Sequence, residues 1–486
     1  MSVCVRFLVL FLILLCETGI SDTAVHRIGA QDGPRGTVAI ISVTIIDVNA
    51  TDAYSARRTG QTILIDRGEI TRIGPATTVR IPSGAHHVDG RGGYLIPGLW
   101  DAHAHVSQGA GPPALAAYVA NGITSVRDLG GRISDVVTWQ QQMRDGAITG
   151  PRLFKAGPTL EGASWLDRAV RLLANDPALS KFPLWEVSPR LRLASPADSG
   201  RAVDSIVRLG VDLIKFRNLR GNEFRAVAAE AKRRGLPLVG HAPRGVSVGE
   251  AAEAGMRSME HAETVTLSLG DADNRERRAQ LERVAASRAA ITPTLVADVA
   301  YRQTPDTYAH AVISDGDNRR DSRRRYLTWS LLEAWKFGLE IKRFDAPNDW
   351  AESHRRQVAD MQLAHELGVP LLVGTDLGVS LVYPGFSVHD EMRLLVDEVK
   401  LSALEALRAA TVNPARNMGL ADTVGVITAG QRADLVLLEA DPLRDIRNAA
   451  RIRAVVLNGR VLSRADIDSL LVTAERVARA SQTRGQ

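Results

Sequence analysis

The sequence has very little cysteine. Its 486 residues include only two cysteines, Cys4 and Cys16, and both lie in the apolar segment at the start of the chain. If that segment is removed, the remaining chain can form no disulfide and has no thiolate to act as a nucleophile or metal ligand. Any metal site must then use histidine, carboxylate and other oxygen groups. Export without disulfides fits a bacterial periplasm or the external medium.

The leading segment also lacks an apolar run long enough to cross a bilayer. Residues 7–15 are almost wholly apolar, follow Arg6 and precede the small residues Gly19 and Ser21, a pattern typical of a secretory signal peptide. We expect residues 1–21 to be this signal, so that the mature protein is secreted or periplasmic and has no membrane attachment. An uncleaved N-terminal anchor and a lipoprotein attached through Cys16 are the alternatives.

Neither sign of charge dominates the sequence. The 60 lysines and arginines and 55 acidic residues give a net charge of +5, and the basic residues are scattered apart from a run at 319–325. Such a run is typical of a solvated helix face, so we expect no nucleic-acid partner. The hydrophobic content of 45% is ordinary for a globular protein and argues against disorder and against a polytopic membrane protein.

A His-x-His pair at 103–105 is the most informative feature that is present. On a strand, His103 and His105 would point to the same face, as two ligands of one metal ion do. With 11 histidines in the chain, chance alone supplies about 0.25 such pairs, so the motif by itself is a hypothesis. Four further residues, each at the end of a short apolar run, give it context: Lys215, His241, His261 and Asp376.

Eight short apolar runs, each followed by a helical pattern, occupy the centre of the chain. They lie at 95–99, 124–126, 153–156, 213–216, 236–240, 257–260, 290–295 and 371–374. Eight strand–helix units predict an α/β fold with a closed, TIM-like (β/α)8 barrel, whose active site lies at the C-terminal ends of the strands. The five groups of chemically distinctive residues would converge there.

Both ends of the chain are rich in β-type residues, which predicts one small sheet domain built from the two ends. We expect a composite β-sandwich domain from 37–96 and 415–465, a barrel from 97–414 and a helical tail at 466–486.

Two connections, 161–195 and 295–370, are longer than a barrel needs and carry aromatic residues, including Trp165, Phe182 and Trp185 in the first. Such connections cover the site or shape specificity, although aromatic residues that only hold extra helices on the barrel explain them equally well.

Together these motifs resemble the amidohydrolase superfamily. The resemblance rests on Pro-Gly-Leu-Trp-Asp-Ala-His-Ala-His at 97–105, Gly-Ile-Thr-Ser-Val-Arg-Asp at 122–128, His241, His261, Gly-Thr-Asp at 374–376, Ala-Thr-Val-Asn-Pro-Ala at 410–415 and Gly-Gln-Arg-Ala-Asp at 430–434. It spans roughly residues 37–465. The branch that looks most similar contains metal-dependent dipeptidases of prolidase type and imidazolonepropionase-like proteins.

The resemblance implies a metal-binding set, which comprises His103, His105, Lys215, His241, His261 and Asp376. In two-metal members the lysine is carboxylated by CO₂ and bridges the ions, and Lys215 stands in the matching place; a salt-bridged barrel lysine is the alternative. Zinc is the expected metal, with manganese, cobalt, nickel or iron as alternatives.

The reaction expected from such a centre is hydrolysis of a C–N amide bond in a dipeptide, an Xaa-Pro substrate or an N-acyl amino acid by a metal-bridging hydroxide. Asp376 would take the proton of the nucleophile and deliver it to the departing amine. Arg217 departs from the small, Ser/Gly-rich stretch expected in relatives. It could bind a substrate carboxylate or pair with an acid such as Asp128.

Two other functions remain open at this point. One is a mononuclear, imidazolonepropionase-like hydrolase of cyclic amides or lactams with an unmodified Lys215, and the other is a non-catalytic metal-binding barrel. His389 and Glu391, which follow the eighth run, could line the pocket or cap the next helix, and they are left outside the metal set. We expect a small-molecule partner and a homo-oligomer.

Overall fold

The computed structural model describes residues 36–177, 179–342, 344 and 349–485. The predicted signal segment, residues 1–21, lies outside the described residues. Within the described part of the chain, no helix combines the length and the apolar character needed to cross a membrane.

Strands and helices alternate through the centre of the chain. The strands are β1 (Val38–Ile46), β2 (Arg57–Asp66), β3 (Glu69–Pro75), β4 (His86–Asp89), β5 (Tyr94–Pro97), β6 (Leu99–Ala104), β7 (Ile123–Asp128), β8 (Arg152–Lys155), β9 (Thr159–Gly162), β10 (Arg190–Leu193), β11 (Ile214–Arg217), β12 (Leu238–Gly240), β13 (Met256–Glu260), β14 (Ala290–Thr292), β15 (Leu435–Leu438), β16 (Ile452–Leu457) and β17 (Arg460–Ser463). The helices are α1 (Gly111–Ala120), α2 (Ile133–Arg144), α3 (Ala163–Asn175), α4 (Leu184–Val187), α5 (Ser199–Val207), α6 (Gly221–Arg233), α7 (Val248–Glu253), α8 (Ala262–Leu269), α9 (Asn274–Ala286), α10 (Leu295–Asp298), α11 (Asp306–Ile313), α12 (Trp329–Lys342), α13 (Trp350–Glu366), α14 (Phe386–Asp397), α15 (Ala403–Ala409), α16 (Val412–Asn417) and α17 (Arg464–Gly485).

The two ends of the chain form one sheet, as predicted. Its strand order is β17-β16-β15-β5-β1-β2-β3, with β4 added beside β1, and the junction between the ends is the antiparallel pair β5–β15. The sheet is curled around an apolar core that includes Ile40, Ile63 and Leu435. The turn between β2 and β3 contacts the turn between β16 and β17. A Cβ atom at Gly459 would lie only 2.6 Å from the Cα of Gly68. Only glycine permits so close an approach of two backbones.

The central strands form a closed parallel barrel, which confirms the predicted (β/α)8 fold. Two parallel sheets, β6-β7-β8 and β9-β11-β12-β13-β14, contribute the strands around the barrel. The third strand of the barrel is divided in two: β8 pairs with β7 on one side, and β9 pairs with β11 on the other. An extended segment at 371–375 closes it. Its Leu372 donates to the carbonyl of Ile291 at 2.9 Å on one side, and Val373 accepts from the amide of Ala102 at 2.8 Å on the other.

The first predicted run, 95–99, is divided between the two sheets. Strand β5 belongs to the sheet of the chain ends, and the first barrel strand is β6, which begins at Leu99 and carries His103. Gly98 lies at the change, where a Cβ would be 2.1 Å from Oγ1 of Thr124. Because the residues on both sides of Gly98 are apolar, hydrophobicity alone does not reveal the division. All described residues lie in one compact unit, so the boundaries at 96–97 and 414–415 stay predictions.

Both long connections reach the C-terminal edge of the barrel, here called the mouth. The 161–195 connection forms α3 and α4 and returns as β10, which pairs in parallel with β9. The 295–370 connection contains α10 to α13. The rings of Phe182 and Phe337 stack across the two connections with centroids 4.6 Å apart. At the chain's other end, α17 provides the helix where a helical tail is predicted.

Candidate metal centre

All six predicted ligands lie at the mouth of the barrel. His103 is near the end of β6 and His105 directly follows that strand, Lys215 is on β11, His241 follows β12, His261 follows β13 and Asp376 follows the closing segment at 371–375. Parallel barrel strands all end at the same edge, so residues separated by up to 273 positions in the chain become neighbours.

The Asp376 carboxylate lies among the histidines. Its Oδ1 atom is 3.3 Å from Nε2 of His103 and 3.2 Å from Nε2 of His105, and its Oδ2 is 3.9 Å from Nδ1 of His261. The ring centroids of His241 and His261 are 4.8 Å apart. One ligand atom each from His103, His261 and Asp376 lies within 4.8 Å of the other two. This is the separation expected of atoms that share one ion.

Two buried nitrogen atoms at this site have no hydrogen-bond partner among the described residues. They are Nε2 of His103 and Nζ of Lys215, and both residues are at most 1% exposed. Buried polar atoms are nearly always paired, so such atoms point to a missing group. Imidazole nitrogen and carboxylate oxygen are ordinary ligands of zinc and related divalent ions. The donor set therefore fits a metal centre.

The histidines are held in the form that binds metal. Burial lowers the pKa of His105, His241 and His261 below the ordinary value, and the positive charge of Arg217 adds to the effect at His241. Neutral imidazole carries the lone pair that a metal requires. Burial acts to raise the pKa of Asp376, but the contacts of its carboxylate with His261, His103 and His105 outweigh it and hold that pKa well below its usual range.

Lys215 is electrostatically unusual. Burial lowers the pKa of its ammonium group to about 7, against the opposing influence of the Glu260 and Asp376 carboxylates and with the help of Arg217. A lysine with this pKa is neutral in a large fraction of molecules at neutral pH. The neutral amine is the form that can react with CO₂.

A buried ion pair supports His103 from behind. Glu260 accepts hydrogen bonds from Nδ1 of His103 at 2.8 Å and from Nη2 of Arg127 at 3.1 Å. The carboxylate fixes the proton of His103 on Nδ1 and leaves Nε2 free for an ion. Sequence reasoning did not assign either residue a role. The available signal was that β7 and β13, which are central strands of the barrel, each contain an acidic and a basic residue.

Three residues around the centre have backbone conformations that side chains rarely adopt. Asp376, His261 and Thr294 have φ values of 57°, 70° and 52°, and Oγ1 of Thr294 is 2.8 Å from Nδ1 of His261. Strained backbone of this kind is held in place by its surroundings and clusters at functional sites. Here it directs Asp376 and His261 towards one point.

Buried Asp101, beneath the centre, fixes the loop that carries Asp376. Its carboxylate accepts from the hydroxyl of Tyr118 at 2.8 Å and from the hydroxyl of Thr375 at 2.6 Å. Burial raises the pKa of Asp101 to about 6 despite these hydrogen bonds. Asp101 of β6 thus holds Thr375 in place, and Thr375 directly precedes Asp376.

The structure removes one interpretation of Arg217. Asp128 does not pair with it, since the Asp128 carboxylate accepts from the amide and hydroxyl of Ser107 at 3.1 and 2.6 Å. Within the described part of the chain, Arg217 forms no ion pair, and its guanidinium carbon lies 5.6 Å from the ring centroid of Trp165. Arg217 therefore remains available to a ligand.

His389 and Glu391 are engaged away from the histidine cluster. Glu391 accepts from the amides of Leu295 and Val296 at 3.1 and 2.7 Å, and so caps α10. Nε2 of His389 donates to the carbonyl of Asn121 at 2.9 Å. Both side chains act as braces between helices and loops.

Comparison with known proteins agrees with this geometry. The model of the Amidohydrolase family matches residues 94–462. The solved structure of a candidate prolidase from Bifidobacterium longum has a TM-score of 0.66, with 26% identity and coverage of 90% of this chain and 99% of that one. Ochratoxinase of Aspergillus niger is 24% identical over 403 residues, 74% of this chain and 73% of that protein. Imidazolonepropionase of Thermoplasma acidophilum is 38% identical, but over 77 residues that make up 15% of this chain and 17% of that protein.

Proposed function

Because the chain belongs to the amidohydrolase family and is a hydrolase acting on carbon–nitrogen bonds, we propose that it cleaves the amide bond of a dipeptide, an Xaa-Pro substrate or an N-acyl amino acid at a centre of two divalent ions. The observation that carries this proposal is Lys215. It is a buried lysine without a hydrogen-bond partner among the described residues, and it lies at the mouth beside four histidines and an aspartate. A one-ion centre has no need of such a lysine.

We assign His103, His105, His241, His261 and Asp376 as ligands, with zinc as the expected metal. When bound, divalent ions supply a hydroxide nucleophile near neutral pH and polarise the scissile carbonyl. Asp376 is ionised, since its pKa lies well below the usual range, and it can accept the proton of the nucleophile at a carboxylate oxygen. It then returns that proton to the nitrogen of the departing amine, which leaves as a neutral group.

The role proposed for Lys215 is that of an anionic bridge. Its neutral amine attacks CO₂, a C–N bond forms, and one proton is released to leave a carbamate with two oxygen atoms. Burial favours the neutral amine that reacts with CO₂, in which one C=O π bond opens as the C–N bond forms. Bound divalent ions would attract the resulting anion, whereas they would repel an ammonium group. Both oxygen atoms are then available as ligands.

The substrate class follows from the family and from Arg217. Similarity to a candidate prolidase and to ochratoxinase supports a small amide substrate. Among the described residues the guanidinium of Arg217 has no ion-pair partner, and it suits a substrate carboxylate, which it can bind through two parallel hydrogen bonds. The local similarity to imidazolonepropionase favours a second candidate, a one-ion hydrolase of cyclic amides.

Metal analysis of the purified protein separates the candidates. We expect two zinc ions per chain in the wild type and at most one in Lys215→Ala. The control is Lys155→Ala, which removes a lysine from the barrel strand β8 that is ion-paired with Asp212 at 3.3 Å; it should keep both ions. A single ion that is unchanged in Lys215→Ala would contradict the two-ion proposal.

Activity is tested with Xaa-Pro dipeptides, other dipeptides, N-acyl amino acids and lactams, each with zinc, manganese and cobalt. Hydrolysis of linear amides supports the proposal, and hydrolysis confined to lactams supports the second candidate. Complete inactivity of metal-loaded protein would favour a metal-binding barrel without catalysis.

The predicted signal at 1–21 is tested by N-terminal sequencing of exported protein. The expected homo-oligomer is tested by light scattering.

A further inference from the structure

The 161–195 connection places a second arginine at the mouth. Its strand β10 pairs with β9 so that Arg190 lies opposite Thr159 and Arg192 opposite Glu161, while Glu161 also lies opposite Arg217 of β11. Paired residues on adjacent strands share a face of the sheet. Arg190 is therefore on the same face as Glu161 and Arg217, and its Nε approaches Oε2 of Glu161 diagonally, at 3.9 Å.

Neither guanidinium group has a hydrogen-bond partner among the described residues. Nε of Arg190 and Nε of Arg217 are both buried and unpaired, and Oε2 of Glu161 is unpaired as well. The ion pair between Nε of Arg190 and Oε2 of Glu161 has a length of 3.9 Å, too long for a hydrogen bond, and the Arg190 side chain is only 9% exposed. Oε1 of Glu161 accepts from the side-chain amide of Asn218 at 2.8 Å.

The charges of this cluster do not balance. Two guanidinium groups share one carboxylate, and the Arg190 side chain is almost completely buried. Burial, with the like charge of Arg217, lowers the pKa of Arg190 to about 9. Buried charges in proteins are normally paired, so an anion is the complementary ligand for this cluster.

The surroundings define the rest of that anion. Trp165 of α3 is half-buried beside Arg217, and its flat ring offers an apolar wall next to the guanidinium. Arg217 is two residues from Lys215 on the same strand, so the two side chains share one face. An anion bound here lies next to the metal ligands and against an aromatic surface.

We infer that Arg190 and Arg217 form a two-arginine subsite that binds the single carboxylate of the substrate, with Glu161 as the group that orients Arg190 and Trp165 as the wall for the adjoining apolar part. The inference rests on the proposed function, in that the bound carboxylate is taken to be the substrate's own. Specificity for amides with one free carboxylate then comes from the inserted strand β10, not from the metal ligands. Neutral lactams and dianionic phosphates would be poor occupants.

Binding of 3-phenylpropionate to the zinc-loaded protein tests the subsite without any turnover, because this carboxylate contains no amide bond. Isothermal titration should show it to bind about tenfold or more tightly than 3-phenyl-1-propanol. Arg190→Gln and Arg217→Gln should each lose about tenfold in affinity for the carboxylate and leave the alcohol unaffected. Arg190→Lys keeps the positive charge but loses the two-pronged guanidinium, so its affinity for the carboxylate should lie between those of the wild type and Arg190→Gln.

Arg192→Gln is the matched control, since Arg192 lies on the same strand but pairs with Asp167 at 2.8 Å and is 48% exposed. It should bind both compounds like the wild type, and circular dichroism should show every variant folded. Wild-type affinity for 3-phenylpropionate in both Arg190→Gln and Arg217→Gln would overturn the inference, because the carboxylate would then bind at the metals. If the carboxylate preference is present and lost as expected but no amide is cleaved, the subsite stands and the proposed function fails.

Discussion

Replacing Glu260 with glutamine tests whether the buried ion pair controls the metal centre. Glu260 is fully buried, and its two carboxylate oxygens accept from Nδ1 of His103, Nη2 of Arg127 and the hydroxyl of Ser258. Glutamine has almost the same shape but no charge, and one of its two terminal atoms donates. At least one of the three donors would then face an NH₂ group, and the Arg127 charge would lose its partner.

Two magnitudes follow from this geometry. Leaving one member of a buried ion pair unpaired costs about 3–5 kcal/mol of stability. Loss of the carboxylate behind a metal-binding histidine lowers metal affinity about 10–100-fold. Because His103 is a ligand in the proposed centre and Arg127 is not, the two effects report on different parts of the network.

The metal effect is measured by competition with a chromogenic chelator and the stability effect by urea unfolding of metal-free protein. The control Glu253→Gln makes the same chemical change in a solvent-exposed pair with Arg283, where Glu253 is 50% exposed. It should alter stability very little and leave zinc affinity unchanged, because exposed ion pairs contribute little to stability. If Glu260→Gln lost stability but bound zinc like the wild type, Glu260 would serve only to neutralise Arg127, and the proposed fixing of His103 would be wrong.

Three other changes address individual residues of the site. Asp376→Asn should keep much of the metal, measured by elemental analysis, and lose turnover by orders of magnitude, because the amide cannot carry the proton; a near-normal rate would contradict the shuttle. Since burial lowers the pKa of Lys215 to about 7, its amine is neutral above that pH and protonated below it. Bicarbonate-stimulated uptake of a second ion by metal-free protein should therefore decline as the pH falls through about 7, and a flat profile from acid to alkaline pH would argue against carbamate formation. Gly240→Ala should weaken zinc binding, because its Cβ would lie 2.3 Å from the carbonyl oxygen of Phe216 and displace the following His241. Gly316→Ala, whose Cβ meets no atom within 4 Å, should not; equal affinities in a chelator titration would show that the backbone can adjust.

The barrel and its family were predictable because both depend on local features that survive in a one-dimensional pattern. Five of the eight apolar runs contain or closely precede a chemically distinctive side chain, and the parallel barrel brings those side chains together at one edge. His103, Lys215, His241 and Asp376 illustrate this, since each lies at the end of its own barrel strand or just beyond it. The order of the strands is enough to predict this cluster, and the number of residues between the strands does not matter.

Other features depend on contacts that no local pattern records. The division of the 95–99 run at Gly98 is set by the approach of Thr124, and the pairing of Arg127 with Glu260 joins strands 133 residues apart. The sequence predicts that the connection containing Arg190 covers the site, shapes specificity or holds extra helices, but it does not single out Arg190. The alternation Arg-Leu-Arg-Leu at 190–193 is nevertheless a strand pattern, and it was the available signal for β10.

In the proposed site, metal binding and substrate selection at the mouth depend on different parts of the chain. The proposed metal ligands lie on or directly after the barrel's own strands, whose geometry is fixed by closure of the barrel. Arg190 and Trp165 come from the 161–195 connection, which can change in length and sequence without disturbing that closure. A change of substrate would then require changes in this connection and at Arg217, while the histidines and Asp376 stay constant. In the proposed subsite, the two arginines that share the single carboxylate of Glu161 are the groups that would select a substrate with a carboxylate.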